Sequence, residues 1–200
     1  MEQSPYDVEE SWPVEESVDL HRDGWVVALR ADRVRAPGGD GPAFRRLVLE
    51  HPGAVVVLAL DEQGQVCCLR QYRHPAGRRF VELPAGLLDQ EGEEPVEVAR
   101  RELREEVGLQ AASWTPLGST YSSPGISEEK MHFFLARDLA GADRGDFELQ
   151  HEEADMTVEW IPFPDLHAAV LDGRVQDAPV ALAVLLAAAR GEARAVPVEE

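Results

Sequence analysis

The stretch GLLDQEGEEPVEVARRELREEVGL, residues 86–109, decides how the rest of the chain is read. Pro95 fits a first helical position, where its missing N–H costs nothing, and Glu93 and Glu94 suit the positive start of a helix. Val96, Ala99, Leu103 and Val107 recur at helical spacing and form an apolar stripe for packing on a sheet. Gly108 suits a left-handed stop. Glu102, Glu105 and Glu106 then crowd the last turn, the wrong end for acids. A helix C-terminus already carries partial negative charge, so carboxylates there repel its carbonyls and one another. At about 100° per residue, positions i, i+3 and i+4 share a side, which predicts that the three carboxylates converge. A convergent all-oxygen cluster is what a hard divalent cation such as magnesium requires. A solvated, charge-rich face is the commoner fate of a glutamate run, and spacing alone does not choose between the two.

The flanking residues do. Gly86 precedes Glu93 across six residues, and seven more lead to Arg101-Glu102-Leu103-Arg104-Glu105-Glu106-Val107-Gly108-Leu109. This order resembles the Nudix box, the signature of enzymes that cleave nucleoside diphosphates linked to another moiety. The chain departs from the box once, by one extra residue in the loop after Gly86. The resemblance implies that Glu102, Glu105 and Glu106, with the carbonyl of Ala85, hold magnesium, with manganese as a substitute. It implies a catalytic part for Glu105 and Arg101, and structural parts for Gly86, Glu93 and Gly108. Arg101 is expected to pair with Glu93 and hold the loop against the helix; an ordinary surface ion pair is the alternative.

Composition narrows the setting. A hydrophobic fraction of 44% is ample for a core in a chain of 200 residues. No apolar run approaches the roughly 20 residues that span a bilayer, and the acidic start does not read as a secretory signal. Cys67 and Cys68 adjoin each other inside an apolar stretch and read as reduced core thiols. The expected compartment is the cytoplasm. The net charge is -19, from 38 acids against 19 bases, which argues against polymeric nucleic acid or an anionic membrane as partner. Against that background Arg70, Arg73, His74, Arg78 and Arg79 share an acid-free window. The window is either an anion subsite or a hairpin loop that balances charge.

Alternation and turn residues place strands within Ser17–Arg35, at Phe44–Glu50, and at Ala54–Leu60, a continuous apolar run suited to a buried strand. Gln65–Tyr72 is expected to pair with that run across an Asp61–Gly64 turn. Further strands are read at Phe80–Leu83, Trp114–Tyr121, Lys130–Arg137 and Met156–Ile161, and helices at Leu166–Leu171 and Val180–Arg190. The pattern predicts an α/β fold with helices on both faces of a mixed sheet. The resemblance implies the Nudix-type α/β/α sandwich, preceded by a small N-terminal antiparallel sheet. The expected organisation is an N-terminal β extension over residues 1–46, a Nudix hydrolase domain over 47–190 and a tail over 191–200. By resemblance, the extension serves a homodimer.

The box fixes the reaction type and leaves the substrate open. Arg70-Gln71-Tyr72-Arg73 followed by Glu82-Leu83-Pro84-Ala85-Gly86 resembles the segment found in ADP-ribose and nucleotide-sugar pyrophosphatases. Pro124 lies near where the ADP-ribose group carries a proline. The acidic loop His151–Asp155 stands where that group supplies a catalytic glutamate, Glu152 or Glu153 here. The resemblance therefore implies magnesium-dependent hydrolysis of ADP-ribose to AMP and ribose 5-phosphate. Arg73 would clamp a phosphate, Glu82 would accept from a ribose hydroxyl, and Arg70 and Pro124 would line the substrate. The alternatives are another nucleoside diphosphate sugar, NADH, or a silent nucleotide-binding module.

Overall fold

Three strands open the chain: β1 (Val14–His21), β2 (Ala28–Val34) and β3 (Phe44–Glu50). They pair antiparallel in that order, from Ala28 opposite Glu50 to Val34 opposite Phe44. The segment Ser123–Glu129 joins this sheet: Leu49 donates its N–H to the Ile126 carbonyl at 2.7 Å and accepts from the Glu128 N–H at 3.1 Å. Arg30 ties the sheet together through Asp32, Glu50 and Glu128. The Arg22 and Arg30 guanidiniums hold the Glu50 carboxyl down at about 2. β1 is exposed along its whole length although it carries Val14, Val18 and Leu20. The structure is a computed structural model that describes residues 5–38, 41–90, 92–145 and 155–193. It divides into two units, Met1–His51 with Ser123–Glu129, and Pro52–Ser122 with Lys130–Glu200.

The second unit contains β4 (Ala54–Ala59), β5 (Gln65–Arg73), β6 (Arg78–Glu82), β7 (Ala85–Leu87), α1 (Pro95–Val107), β8 (Leu109–Tyr121), β9 (Lys130–Gly141), β10 (Thr157–Pro162), α2 (Phe163–Leu171) and α3 (Ala178–Ala189). A mixed sheet runs β7-β4-β9-β8, with β4 and β9 parallel, and an antiparallel sheet runs β10-β5-β6. Every residue of β4 is buried because the strand is covered on both faces. Val55, Val57 and Ala59 pack in one cluster with Val98, Ala99 and Leu103 of α1. Val56 and Leu58 pack in the other, against Phe163 and Leu166 of α2 and Val180, Ala183, Val184 and Ala187 of α3. Strand alternation alone thus builds the sandwich, one helix layer per face. Cys67 and Cys68 follow the same rule: both are free and buried, and they join opposite clusters. No helix among the described residues is long and apolar enough to cross a membrane.

Two local expectations change. β5 does not form a hairpin with β4. Around the turn a Leu60–Val66 bridge and the Asp61 N–H to Gln65 carbonyl bond of 2.9 Å join them, with the Gln65 N–H returning to Asp61 Oδ1 at 2.7 Å. The reason is that β4 spends both edges on β7 and β9, so β5 leaves the turn to pair with β10 and β6. The buried stripe of α1 is also rotated from the one expected. Val98, Ala99 and Leu103 are fully buried, Val96 is half-buried, and Glu102 and Glu106 lie on the buried side.

Candidate active site

The last turn of α1 rests on β7, and the contact is closest at Gly86. A Cβ built on Gly86 would fall 2.1 Å from Glu102 Cδ and 2.2 Å from its Oε1. Any side chain here would occupy the space of the Glu102 carboxylate and displace it. Next to it, the Ala85 N–H donates to Glu106 Oε2 at 2.9 Å. The short strand after the Pro84 corner therefore cradles two box carboxylates that are only 9% and 6% exposed. Gly108 ends the helix at φ 65°, its N–H returning to the Arg104 carbonyl.

Arg101 works on the outer side. Its Nη1 donates to Glu102 Oε1 at 2.7 Å and lies 3.4 Å from Glu105 Oε2, while Nη2 stands 3.5 Å from Glu93 Oε2 and 3.7 Å from Asp89 Oδ1. Burial opposes this charge, yet Glu102, Glu93, Glu105 and Asp89 together hold the guanidinium above its ordinary pKa. Arg101 Nε and Nη2 and Glu93 Oε2 are buried without a hydrogen bond, so the pairing across the loop is by charge. The expected ion pair is present, and it is no simple surface bridge.

The three carboxylates do not meet at one point. Glu102 and Glu105 share Arg101, whereas Glu106 turns to Ala85. Glu105 and Glu106 are consecutive, about 100° apart on the helix, and they take different partners. Among the described residues, no three His, Cys, Asp or Glu side chains are grouped closely enough to hold a metal ion. The donor chemistry nonetheless fits a hard cation: all-oxygen, acidic, largely buried, and seated against a glycine that leaves room for the Glu102 carboxyl.

The basic window is answered by acids from elsewhere in the unit. Arg70 Nε bonds Glu159 Oε1 at 2.6 Å, Arg79 bonds Asp155, and Arg78 bonds the neutral Gln176 Oε1 at 2.5 Å. Arg73 makes a forked pair with buried Glu82, Nε to Oε1 at 2.9 Å and Nη2 to Oε2 at 2.6 Å. That bond, foremost, raises the Arg73 pKa, and the charges of Asp177 and Glu106 add to it. Arg73 therefore brings the box helix and the start of α3 into one electrostatic neighbourhood. Asp177 caps α3, accepting from the Val180 N–H at 2.9 Å. Burial, with the Glu82 charge behind it, pushes its carboxyl up to about 6.

Glu152 and Glu153 lie outside the described residues. Pro124 is exposed in the turn segment that belongs to the N-terminal unit. Two residues escaped the sequence reading. Asp177 resembles any helix cap until its neighbours are known. Arg144, whose Nη2 donates to the Glu106 carbonyl at 2.7 Å, sits in a loop with no motif around it.

A profile of the NUDIX domain matches residues 50–183. The ADP-ribose pyrophosphatase of Mycobacterium tuberculosis is 47% identical over 171 residues, 86% of this chain and 80% of that one. The ADP-ribose pyrophosphatase of Bacillus subtilis is 38% identical over 161 residues, 80% and 84% of the two chains. Among solved structures, one titled "Crystal structure of ADP compounds hydrolase" superposes with a TM-score of 0.73 over 94% of this chain and all of its own. Its identity is 21%, which speaks for the shared fold. With the box helix, its glycine cradle and these matches together, the chain belongs to the NUDIX family.

Proposed function

We propose that the chain hydrolyses the diphosphate bridge of ADP-ribose, water adding to one phosphorus and the P–O–P linkage parting to give AMP and ribose 5-phosphate. The observation that carries this reading is the pair of relatives named ADP-ribose pyrophosphatase, each matching at least 80% of this chain. The buried Glu102 and Glu106 at the Gly86 cradle support it with the required donor chemistry. Glu102, Glu105 and Glu106, with the Ala85 carbonyl, are the residues that would hold magnesium, or manganese in its place. When bound, such a cation offsets phosphate charge and acidifies water.

The chain's own groups do the rest. Arg73, held by Glu82 through Nε and Nη2, would offer its remaining Nη1 donors to phosphate oxygens, and Glu82 would accept from a ribose hydroxyl. Arg70 would add positive charge for the substrate's phosphates. Arg101 and Glu93 hold the loop after Gly86 against α1. Glu152 or Glu153 would take the proton of the attacking water, an effect of roughly 10²–10⁴-fold. The exposed β1, with Val14, Val18 and Leu20, supports a homodimer through residues 1–46, as does a groove of about 420 Å³ lined by Val18, Leu20, Ala31, Arg33 and Arg45.

The test is a panel of ADP-ribose, ADP-glucose, GDP-mannose and NADH with magnesium in ¹⁸O-labelled water. AMP from ADP-ribose at the highest kcat/KM is expected; no AMP would reject the assignment. Glu106→Gln should lose at least about 10³-fold in turnover, several kcal/mol of transition-state stabilisation, with folding retained by circular dichroism.

A further inference from the structure

The final turn of α1 carries three acids, of which Arg101 contacts Glu102 and Glu105. The last four carbonyls of a helix also lack partners within it. Arg144 meets that need for one of these carbonyls. Its Nη2 donates to the Glu106 carbonyl at 2.7 Å, and a methyl group built on Gly108 would lie 3.5 Å from its Nε. The chain before it is fastened to the same spot, the Ala142 N–H donating to the Gly108 carbonyl at 2.8 Å. The segment after β9 is thus pinned across the end of the box helix, with Arg144 as its forward contact.

We propose that Arg144 is a positioning residue for Glu106: by bonding its main-chain carbonyl, Arg144 fixes the last turn of α1 so that the Glu106 carboxylate stays beside Ala85, set for a divalent cation. This rests on the reading of Glu106 as a metal-holding residue. Position and charge predict opposite outcomes here. If Arg144 acted only as a nearby cation, its removal would tighten cation binding, since like charges would no longer repel. If it acts by holding the turn, its removal weakens binding despite the lost repulsion. Outer partners of metal-holding groups commonly contribute 10–100-fold to affinity.

The experiment titrates Mn²⁺ calorimetrically into metal-free full-length parent, Arg144→Met, Arg144→Lys and Glu106→Gln, with no substrate present. Arg144→Met keeps the aliphatic stem and should bind Mn²⁺ about tenfold more weakly. Arg144→Lys, with charge kept and fork lost, should fall between it and the parent. Turnover of Arg144→Met should recover at high magnesium with an unchanged KM for the nucleotide, which general destabilisation would not produce. Parent-like or tighter Mn²⁺ binding by Arg144→Met overturns the proposal. Should that variant fold poorly, Arg144→Lys carries the test alone, and parent-like binding by it overturns the proposal. If Glu106→Gln also binds like the parent, the assignment of Glu106 fails and takes this inference with it.

Discussion

Gly86 shows how one missing methyl group organises a site. Its close neighbour is the Glu102 carboxyl, so Gly86→Ala forces Cβ and Cδ from 2.1 Å to beyond van der Waals contact. Glu102 must swing out or β7 must retreat from α1. Overpacking of this kind costs roughly 1–3 kcal/mol. Thermal unfolding should show that loss, and half-saturation by magnesium should rise at the same time; an unchanged metal requirement would mean the cradle is not part of the site. Asp177 gives a pH signature. Its folded pKa, near 6 through burial, exceeds the ordinary carboxylate value. Between those pH values the folded state binds more protons than the unfolded one, so this group lowers stability as pH rises from about 4 to about 6. Asn caps a helix as well as Asp and cannot ionise. Asp177→Asn should therefore gain on the parent across that window, on the order of 2 kcal/mol at pH 7 relative to pH 4, as read by denaturant unfolding at the two pH values.

At the scale of elements, α1 and most of the strands were legible in the sequence because their signals are local, whereas the short β7 was not. Proline at the start, glycine at the stop and a stripe between them need no tertiary knowledge. Partner choice was not legible. Gln65–Tyr72 follows Ala54–Leu60 across a tight turn, and the hairpin reading failed because β4 had already committed both edges. The site divides in the same way. The box residues announce themselves by spacing, while Asp177 and Arg144 act through neighbours far away in the chain. The β5 cysteines make the element-scale prediction. Alternation sends adjacent thiols into two different clusters, and burial pushes Cys67 up to about 12 and Cys68 higher. Iodoacetamide at pH 8 should leave both unmodified in the native protein and label both in denaturant, since the thiolate is the reactive form. Rapid native labelling of either would show that β5 opens locally.

For the whole molecule, acidity is the dominant electrostatic fact. A net charge of -19 repels an anionic substrate until local cations intervene. A cation that binds the folded chain and ignores the unfolded one should also stabilise it, by about 2.7 kcal/mol at a hundredfold excess over Kd. Magnesium should raise the thermal midpoint of the parent and chelation should reverse the rise. Glu106→Gln should show little of either, and an equal shift in that variant would place the stabilising ion elsewhere.

The parallel ladder between β4 and β9 joins Ala54 to Met131 and Ala59 to Ala136. Such a pairing closes a long loop, and loop closure is an entropic cost met before any contact repays it. On the ribosome, β4 emerges long before β9 and waits as an apolar segment without its central neighbour. The β4 segment should therefore stay unpaired in the nascent chain until residues 131–136 emerge, and pulse-labelled hydrogen exchange should find the β4 amides among the last to gain protection during refolding.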